Sequence, residues 1–443
     1  MGKGTVKGIY RARRPRSSKL WKLMDKWWLR FLNVYEDRFQ HKYGYLRKEV
    51  TKNGDEFLKC GILDFGFARI RCDGCGYEYL LAFSCKRKLC PSCMKKRQLA
   101  HGEFLMNEVL EKVSHRHVVL SIPKRLRHCF LYKRELLPKL SKLAYESVLE
   151  CLKIATDEKD VCGAAVNVIH TWGELLDWHP HIHLLMSWGV FFPDNSYKGV
   201  SRIPKDSIQK IFIHKVFKLL LKEDAITPDV VGNIKSWPHS GFHTWVGPLI
   251  SCLEKKRLEC LGQYQSRGLI SHDRLQFSPG AEEAKGQLLY EEAESEEHSK
   301  VTLIGEKFIK RHGGNKRVWD PLSFLADLTC HIPKHGSKTT LYYGYYSNKK
   351  RGQRKKAEKE TEVKVLVESK EEGSSLSKSH WARMIKKVYE IDPLECPNCH
   401  KEMKIISCID RSDLIYKILK HLNLLGKDFG TDDEAEQSVR GPP

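Results

Sequence analysis

The hydrophobic pattern of the chain changes period several times, which predicts a mixture of helices and short strands. Apolar residues recur at helical spacing from residue 20 to about 45 and from 136 to 152, so both segments are predicted to be amphipathic helices. Residues 118–122 and 164–170 are short apolar runs next to turn residues, which predicts strands. Residues 206–221 predict a further helix. This order is typical of an α+β domain with a largely antiparallel sheet.

The second half of the chain is less regular. Apolar residues along one stripe from Leu249 predict a helix that ends near Ser266, and residues 318–330 predict another. Residues 341–346 predict an aromatic strand. Residues 280–299 are acidic and are interpreted as an insertion, and residues 349–380 predict a charged linker.

Three histidines occupy alternate positions in the segment Asp177-Trp-His179-Pro-His181-Ile-His183-Leu-Leu185. In an extended strand they all point to one face, because side chains alternate between faces. Pro180 cannot donate to a sheet ladder and is expected at the strand entry, which leaves His181 and His183 as a neighbouring pair. Ordinary polar-face histidines would also fit this strand. Three at period two favour a shared metal ion, since imidazole is a common ligand.

Six of the 15 cysteines fall within residues 56–100. Two C-x2-C pairs, Cys72 with Cys75 and Cys90 with Cys93, have the spacing of a zinc ribbon in which four thiolates hold one structural Zn²⁺. Cys60 and Cys85 are then reserve ligands or buried thiols. A later pair, Cys396 and Cys399, supplies half of a possible second zinc site, with His400 and Cys408 nearby.

The charge balance indicates a polyanionic partner. The chain has 77 Lys+Arg against 55 Asp+Glu, a net charge of +22 and a pI near 9.3, which favours nucleic acid. Basic residues around the second cysteine pair are expected to bind DNA phosphates: Lys86, Arg87, Lys88, Lys95, Lys96 and Arg97. No apolar run approaches membrane length and no signal-peptide core precedes Trp21, so no membrane partner is expected. The sequence contains no phosphate-binding Gly-rich loop of the nucleotide-driven motors.

These features fit phosphodiester chemistry. A metal held by two imidazoles and one oxygen donor keeps open positions and can polarise a phosphate oxygen. A tyrosine nucleophile would conserve the energy of the phosphodiester in a covalent link.

The histidine segment, with Ile169-His-Thr-Trp-Gly173 before it, resembles the two-histidine (HUH) motif of rolling-circle transposases of the insertion sequence ninety-one family. The cysteine-rich segment from Cys60 to Cys93 is similar to the zinc-binding N-terminal domain of that family. Residues 121–127, 320–325 with 331–333, 342–348 and 392–399 resemble its later blocks, so the resemblance covers most of the chain.

The resemblance implies a single-strand DNA endonuclease and strand transferase that makes a 5′-phosphotyrosine and a free 3′-hydroxyl. His181 and His183 would hold Mg²⁺ or Mn²⁺, and the third ligand is open among His179, Asp177 and Glu174. The family's nucleophile block resembles Tyr-Leu-Gly-Arg-Tyr, where this chain has Cys260-Leu-Gly-Gln-Tyr264. A single nucleophile, Tyr264, is therefore expected, with Tyr343 and Tyr346 as rivals.

The implied organisation is an antiparallel HUH-type nuclease domain flanked by helices, between zinc-binding ends. Its partners would be single- and double-stranded DNA at element ends and targets, in the cytoplasm and nucleoid of a bacterium. A plasmid relaxase or replication initiator, and a non-catalytic zinc-ribbon DNA-binding regulator, are the alternatives. The expected units are 1–55 (basic arm and helical region), 56–104 (zinc-binding), 105–348 (nuclease), 349–380 (linker), 381–426 (C-terminal Cys-x2-Cys unit) and 427–443 (acidic tail).

Overall fold

The computed structural model describes residues 15–278, 299–305, 316–362 and 394–426. Most of the predicted basic arm, the acidic insertion, the acidic tail and the linker beyond residue 362 lie outside these ranges. Within them, no helix has the length and apolar content needed to cross a bilayer.

The N-terminal region is helical around a small hairpin, and its elements are α1 (Lys19–Tyr43), α2 (Lys48–Leu58), β1 (Phe67–Cys72), β2 (Glu78–Ala82) and α3 (Pro91–Glu108). The middle region contains β3 (His115–Ser121), α4 (Lys124–Tyr132), α5 (Leu136–Thr156), β4 (Ala164–Trp172), β5 (Trp178–Ser187), β6 (Gly189–Phe191), β7 (Tyr197–Gly199), α6 (Lys205–Lys222), α7 (Pro228–Lys235), β8 (His243–Ile250) and α8 (Lys255–Gln265). The later elements are β9 (Leu275–Ser278), β10 (Lys300–Ile304), β11 (Lys316–Trp319), α9 (Pro321–Cys330), β12 (Thr340–Gly344), α10 (Asn348–Glu362), β13 (Met403–Ile409) and α11 (Ser412–His421).

A five-stranded sheet in the order β12-β4-β5-β3-β8 forms the centre, and all its neighbouring strands are antiparallel. One face packs against α5 and α6 and buries Ile182 and Leu184 of β5. The opposite face carries His181 and His183, while Leu185 on that face packs with Leu105 of α3 and Leu258 of α8. The prediction of an α+β fold with a largely antiparallel sheet is confirmed.

A second core joins the N-terminal helices to the later elements. Helix α1 packs against α9 and buries Trp28 and Phe31 with residues of β9, β10 and α9. Gly54 of α2 is required here, because a Cβ at that position would lie 2.0 Å from the Trp28 ring. Smaller antiparallel sheets have the orders β11-β10-β9 and β13-β1-β2.

Two predicted helices begin later than expected. Pro248, Leu249 and Ile250 belong to β8, and α8 begins only at Lys255. β8 is an edge strand that accommodates Pro248 because one side of its backbone needs no partner. Likewise, Val318 lies in β11, and α9 begins only after Asp320, whose side chain caps it by accepting from the Ser323 backbone N–H at 2.9 Å. The predicted linker also starts as a helix, α10.

Candidate active site and cysteine clusters

Three buried histidines meet on the face of the central sheet that is covered by α3 and α8. His170 of β4 lies directly opposite His181 of β5, and His183 follows one pleat further along β5. One ring nitrogen from each residue lies within 4.8 Å of the others. The side chains are 0%, 9% and 4% exposed, respectively. This arrangement is a candidate metal site with three nitrogen donors.

Hydrogen bonds fix the orientation of the three rings. The Nε2–H of His170 donates to the Gln265 carbonyl at 2.6 Å, and the Nδ1–H of His181 donates to the His179 carbonyl at 2.7 Å. Nδ1 of His183 shares a 2.9 Å hydrogen bond with Nε2 of His117. Each ring therefore uses one nitrogen to hold its position and keeps the other for a ligand, as metal-binding histidines do.

The remaining nitrogens support this interpretation. His170 Nδ1 and His183 Nε2 are buried and have no hydrogen-bond partner among the described residues. Burial lowers the pKa of His181 to about 4 and holds the pKa of His170 and His183 well below 6.5. The rings are therefore neutral near pH 7, which is the form that binds metal. These donors fit a divalent ion.

The structure does not bring the predicted third ligands into this cluster. His179 lies two pleats from His183, about 13 Å along a strand, and is not part of the cluster. The Asp177 carboxylate instead pairs with Arg127 at 3.3 Å, and Glu174 also lies outside the cluster. His170 takes the third position because the β4–β5 register puts it opposite His181.

Tyr264, in the last turn of α8, lies beside this cluster. Its ring centroid is 6.0 Å from that of His183, with an angle of 74° between the rings, and its side chain is 43% exposed. The Arg267 guanidinium lies 4.6 Å from the centroid of the Tyr264 ring. A phenol, three candidate ligand nitrogens and a cationic group therefore converge on one face of the sheet.

Helix α3 holds the tyrosine helix in place. A Cβ on Gly102 of α3 would lie 3.1 Å from the Glu259 carbonyl of α8, and one on Gly262 would lie 2.8 Å from Leu105 Cδ1. Such close packing allows little movement of α8. Because α3 begins directly after Cys90, the cysteine-rich region is coupled through α3 to the position of Tyr264.

The rival tyrosines are in unsuitable places. Tyr343 stacks on Tyr145 at 5.0 Å and hydrogen-bonds Ser141, next to the core on the other face of the sheet. Tyr346 is fully buried, and its hydroxyl lies 2.7 Å from His115 Nε2. Burial raises the pKa of both phenols, so neither is a ready nucleophile.

A basic pocket adjoins His170. Its lining contains no acidic residue among the described ones, but it contains the six basic residues Lys88, Arg97, Arg134, Arg267, Lys334 and Lys338. Lys88 Nζ donates to Thr339 Oγ1 at 2.9 Å, and burial lowers the pKa of Lys88 to about 7. Two of the six predicted phosphate-binding residues, Lys88 and Arg97, line this pocket. Arg87 instead forms an ion pair with Glu56. The other three, Lys86, Lys95 and Lys96, lie outside the pocket.

Eight of the 15 cysteines form two clusters of four, so the predicted grouping of Cys72 and Cys75 with Cys90 and Cys93 is wrong. Cys90 and Cys93 meet Cys60 and Cys85, with Sγ–Sγ distances of 3.7 Å for three of these pairs. A zinc ion with bonds of about 2.3 Å to four sulfurs gives edges of about 3.8 Å, which these distances match. Cys72 and Cys75 instead meet Cys396 and Cys399.

The hairpin explains the error. Cys72 ends β1 and Cys75 lies in the turn that follows, so both are at one tip of the β1–β2 hairpin. Cys60 precedes β1 and Cys85 follows β2, so both lie beyond the opposite ends of these strands. One signal in the sequence pointed to this division. The eight cysteines of these segments divide into two sets of four, and a single ribbon leaves Cys60, Cys85, Cys396 and Cys399 unexplained.

Comparison with known proteins gives two family models in order along the chain. Residues 31–122 match a transposase zinc-binding domain, and residues 164–354 match a model described as "Putative transposase". The first range contains all of the Cys60 cluster, so the match and the geometry both support structural zinc. The second contains the three histidines and Tyr264.

Two whole proteins are also similar. The transposase for insertion sequence element IS801 of Pseudomonas savastanoi pv. phaseolicola is 24% identical over 383 residues, which cover 83% of this chain and 85% of that protein. "Putative transposase y4qJ" of Sinorhizobium fredii is 25% identical over 309 residues, which cover 64% of this chain and 71% of that protein. No solved structure matches the chain.

Proposed function

Because this chain belongs to the insertion sequence ninety-one family of transposases, we propose that it cuts and rejoins single-stranded DNA through Tyr264. A divalent ion on His170, His181 and His183 would assist this reaction. The observation that carries the proposal is the position of an exposed phenol beside three oriented imidazoles. The five-stranded antiparallel sheet would then be the core of a HUH-type nuclease domain, which we place within residues 105–348.

The proposed reaction is a transesterification. The Tyr264 oxygen attacks a backbone phosphorus and loses its proton, the bond from phosphorus to the 3′ oxygen breaks, and that oxygen takes up a proton. A 5′-phosphotyrosine and a 3′-hydroxyl result, and attack by another 3′-hydroxyl reverses the step and joins a new strand. A divalent ion held by His170, His181 and His183 would supply Lewis-acid polarisation of the phosphate.

The chain's own residues would position the groups that react. The Gln265 carbonyl accepts a hydrogen bond from His170, and Gln265 is the last residue of the helix that carries Tyr264. The proposed ligand and the proposed nucleophile are therefore held by the same residue. Arg267, 4.6 Å from the tyrosine ring, lies where it can stabilise charge that develops on the phosphate. These contacts support a preorganised site.

The basic pocket suggests where the DNA strand lies. Lys88 and Arg97 from the cysteine-rich region and Lys334 and Lys338 from the loop before β12 converge on it. Trp172 also lines the pocket and stacks on His170 at 4.3 Å. Cationic groups beside an aromatic ring suit a single strand, whose phosphates and bases are both accessible.

The proposal is tested with labelled single-stranded oligonucleotides from the ends of the element, incubated with Mn²⁺ or Mg²⁺. We expect a covalent protein–DNA adduct that Tyr264→Phe abolishes and that Tyr416→Phe, at an exposed tyrosine of α11, leaves intact. Duplex DNA of the same sequence should give much less adduct. Salt-sensitive binding without any adduct would instead identify a DNA-binding regulator.

The alternative of a plasmid relaxase or replication initiator has less support. Both similar proteins are named transposases, and one of these matches extends over 83% of the chain. Donor and target substrates distinguish these activities, because a transposase joins the cleaved strand to a second DNA molecule.

A further inference from the structure

We propose that Cys72, Cys75, Cys396 and Cys399 hold a second zinc ion, which fastens the C-terminal unit (residues 394–426) to the N-terminal β1–β2 hairpin. The family model for the zinc-binding domain ends at residue 122, so it contains Cys72 and Cys75 but not Cys396 and Cys399. The inference does not depend on the proposed nuclease activity, because it concerns ligands outside the histidine cluster.

The two cysteine pairs have the same backbone fold. The Cys72 N–H donates to the Tyr77 carbonyl at 2.8 Å, and the Gly76 N–H donates to the Cys72 carbonyl at 3.0 Å. In the C-terminal unit, the Cys396 N–H donates to the Lys401 carbonyl and the His400 N–H donates to the Cys396 carbonyl, both at 2.9 Å. Gly76 and His400 also share a positive φ, at 74° and 57°. Two equivalent turns therefore present their sulfurs to each other.

The four sulfur atoms are close enough together to bind one ion. Cys72 Sγ lies 3.4 Å from Cys399 Sγ, and Cys75 Sγ lies 3.4 Å from Cys396 Sγ. All four Sγ atoms lie within 4.8 Å of one another. The cysteines are free thiols, and each pair contributes one buried and one more accessible sulfur. Four thiolates from two Cys-x2-Cys pairs are a typical donor set of a structural zinc site.

The surrounding elements join the same two parts of the chain. β1 is the central strand of its sheet, with β2 on one side and β13 on the other. β13 pairs antiparallel with β1 from Phe67 opposite Ile409 to Cys72 opposite Met403, so the ladder ends at the cysteine cluster. This register delivers Cys396 and Cys399, just before β13, to Cys72 and Cys75.

Two small apolar clusters flank the site. Phe67 is fully buried against Ile415 and Leu419 of α11, and Ile70 is fully buried with Met403. Each cluster draws on both ends of the chain, and each is small for an independent core. A metal crosslink is a common support for such small units. The C-terminal unit therefore completes the N-terminal ribbon and is not a separate domain.

Metal analysis of the purified full-length protein gives the first test. We expect two zinc ions per chain in the wild type and one in the Cys396→Ser/Cys399→Ser double variant. Cys408→Ser removes an exposed thiol of β13 outside both clusters and should retain two. One zinc in the wild type, iron in place of zinc, or two zinc ions in the double variant would overturn the proposal.

A second test leaves every cysteine in place. A protease recognition sequence is inserted between residues 363 and 393, and the purified chain is cut there. We expect the C-terminal fragment to stay with the N-terminal part during gel filtration and to separate after zinc is removed by a chelator. Separation before chelation, or association that survives complete zinc removal, would contradict a zinc fastening.

Discussion

The Tyr264 ring lies 6.0 Å from the His183 ring and meets it at 74°, although the two residues come from different elements. This relationship depends on two supports. The Gln265 carbonyl ties the end of α8 to His170, and α3 packs closely on α8 at Gly102 and Gly262. The proposed site therefore takes its candidate metal ligands from the sheet and its candidate nucleophile from the helices.

The first prediction separates His170 from His179. His170→Ala removes one of the three proposed ligand nitrogens, so Mn²⁺-dependent cleavage should fall by more than about 100-fold, beyond the usual effect of an outer partner. His179→Ala leaves the cluster intact, and we expect a change of less than about 10-fold. Cleavage rates over a Mn²⁺ titration provide the comparison. Equal losses in both variants would return His179 to the ligand set.

The second prediction concerns His117, which hydrogen-bonds His183 at 2.9 Å. His117→Ala should weaken Mn²⁺ binding by about 10- to 100-fold while saturating Mn²⁺ restores much of the rate, because the ring orients a ligand. His239→Ala, at an exposed position, serves as the control. A loss of rate that no Mn²⁺ concentration relieves would show that His117 acts otherwise.

The third prediction tests the packing of α3 on α8. Gly102→Ala should press on the Glu259 carbonyl, move α8 and lower the cleavage rate, since a 1 Å misplacement near reacting groups costs about 100-fold and a smaller shift costs less. Zinc content should be unchanged. In contrast, a Cβ on Gly232 of α7 meets nothing within 4 Å, so Gly232→Ala should stabilise the protein by about 0.5–1 kcal/mol without affecting cleavage. Normal cleavage by Gly102→Ala would refute this coupling.

The fourth prediction is a pH dependence from Lys88, whose pKa burial lowers to about 7. A lysine loses its charge as the pH rises through its pKa, whereas bound phosphate favours the charged form. Binding of single-stranded DNA should therefore weaken above pH 7 by up to about 10-fold per pH unit. Lys88→Met should bind more weakly at pH 6 and lose this dependence. Fluorescence anisotropy measures the DNA affinity of both proteins across the pH range. An unchanged pH profile in Lys88→Met would assign the pH dependence to another group.

The fifth prediction concerns the choice of metal. Three neutral imidazoles are nitrogen donors, whereas Mg²⁺ prefers oxygen ligands. Cleavage should therefore reach half of its maximum at a lower concentration of Mn²⁺ than of Mg²⁺. Oligonucleotide cleavage in parallel titrations measures both values, and tighter activation by Mg²⁺ would indicate that oxygen ligands dominate the site.

Local patterns in the sequence predicted the parts of the site that lie within one element. Period two placed His181 and His183 on one face, and the C-x2-C spacing identified thiol pairs. Residues brought together by long-range register were missed. His170 depends on the β4–β5 pairing, and Cys72 meets Cys399 at a separation of 327 residues. No rule based on residue spacing predicts which distant cysteine pair completes the ligand set of a Cys-x2-Cys pair.

The starts of α8 and α9 were missed for a related reason. Leu249 and Val318 fit a helical stripe, but pairing of their strands with neighbours places them in sheets. Backbone hydrogen bonds to a partner strand outweigh a weak helical period, and the sequence alone does not reveal that partner.

The most direct measurement of the central claim is the identity of the residue joined to DNA. The protein is reacted with a single-stranded oligonucleotide from the element end and Mn²⁺, the adduct is digested, and its peptides are sequenced by mass spectrometry. We predict a 5′-phosphonucleotide on Tyr264, with a free 3′-hydroxyl on the released strand. A nucleotide on any other residue, or a released strand that carries a 3′-phosphate, would contradict the account.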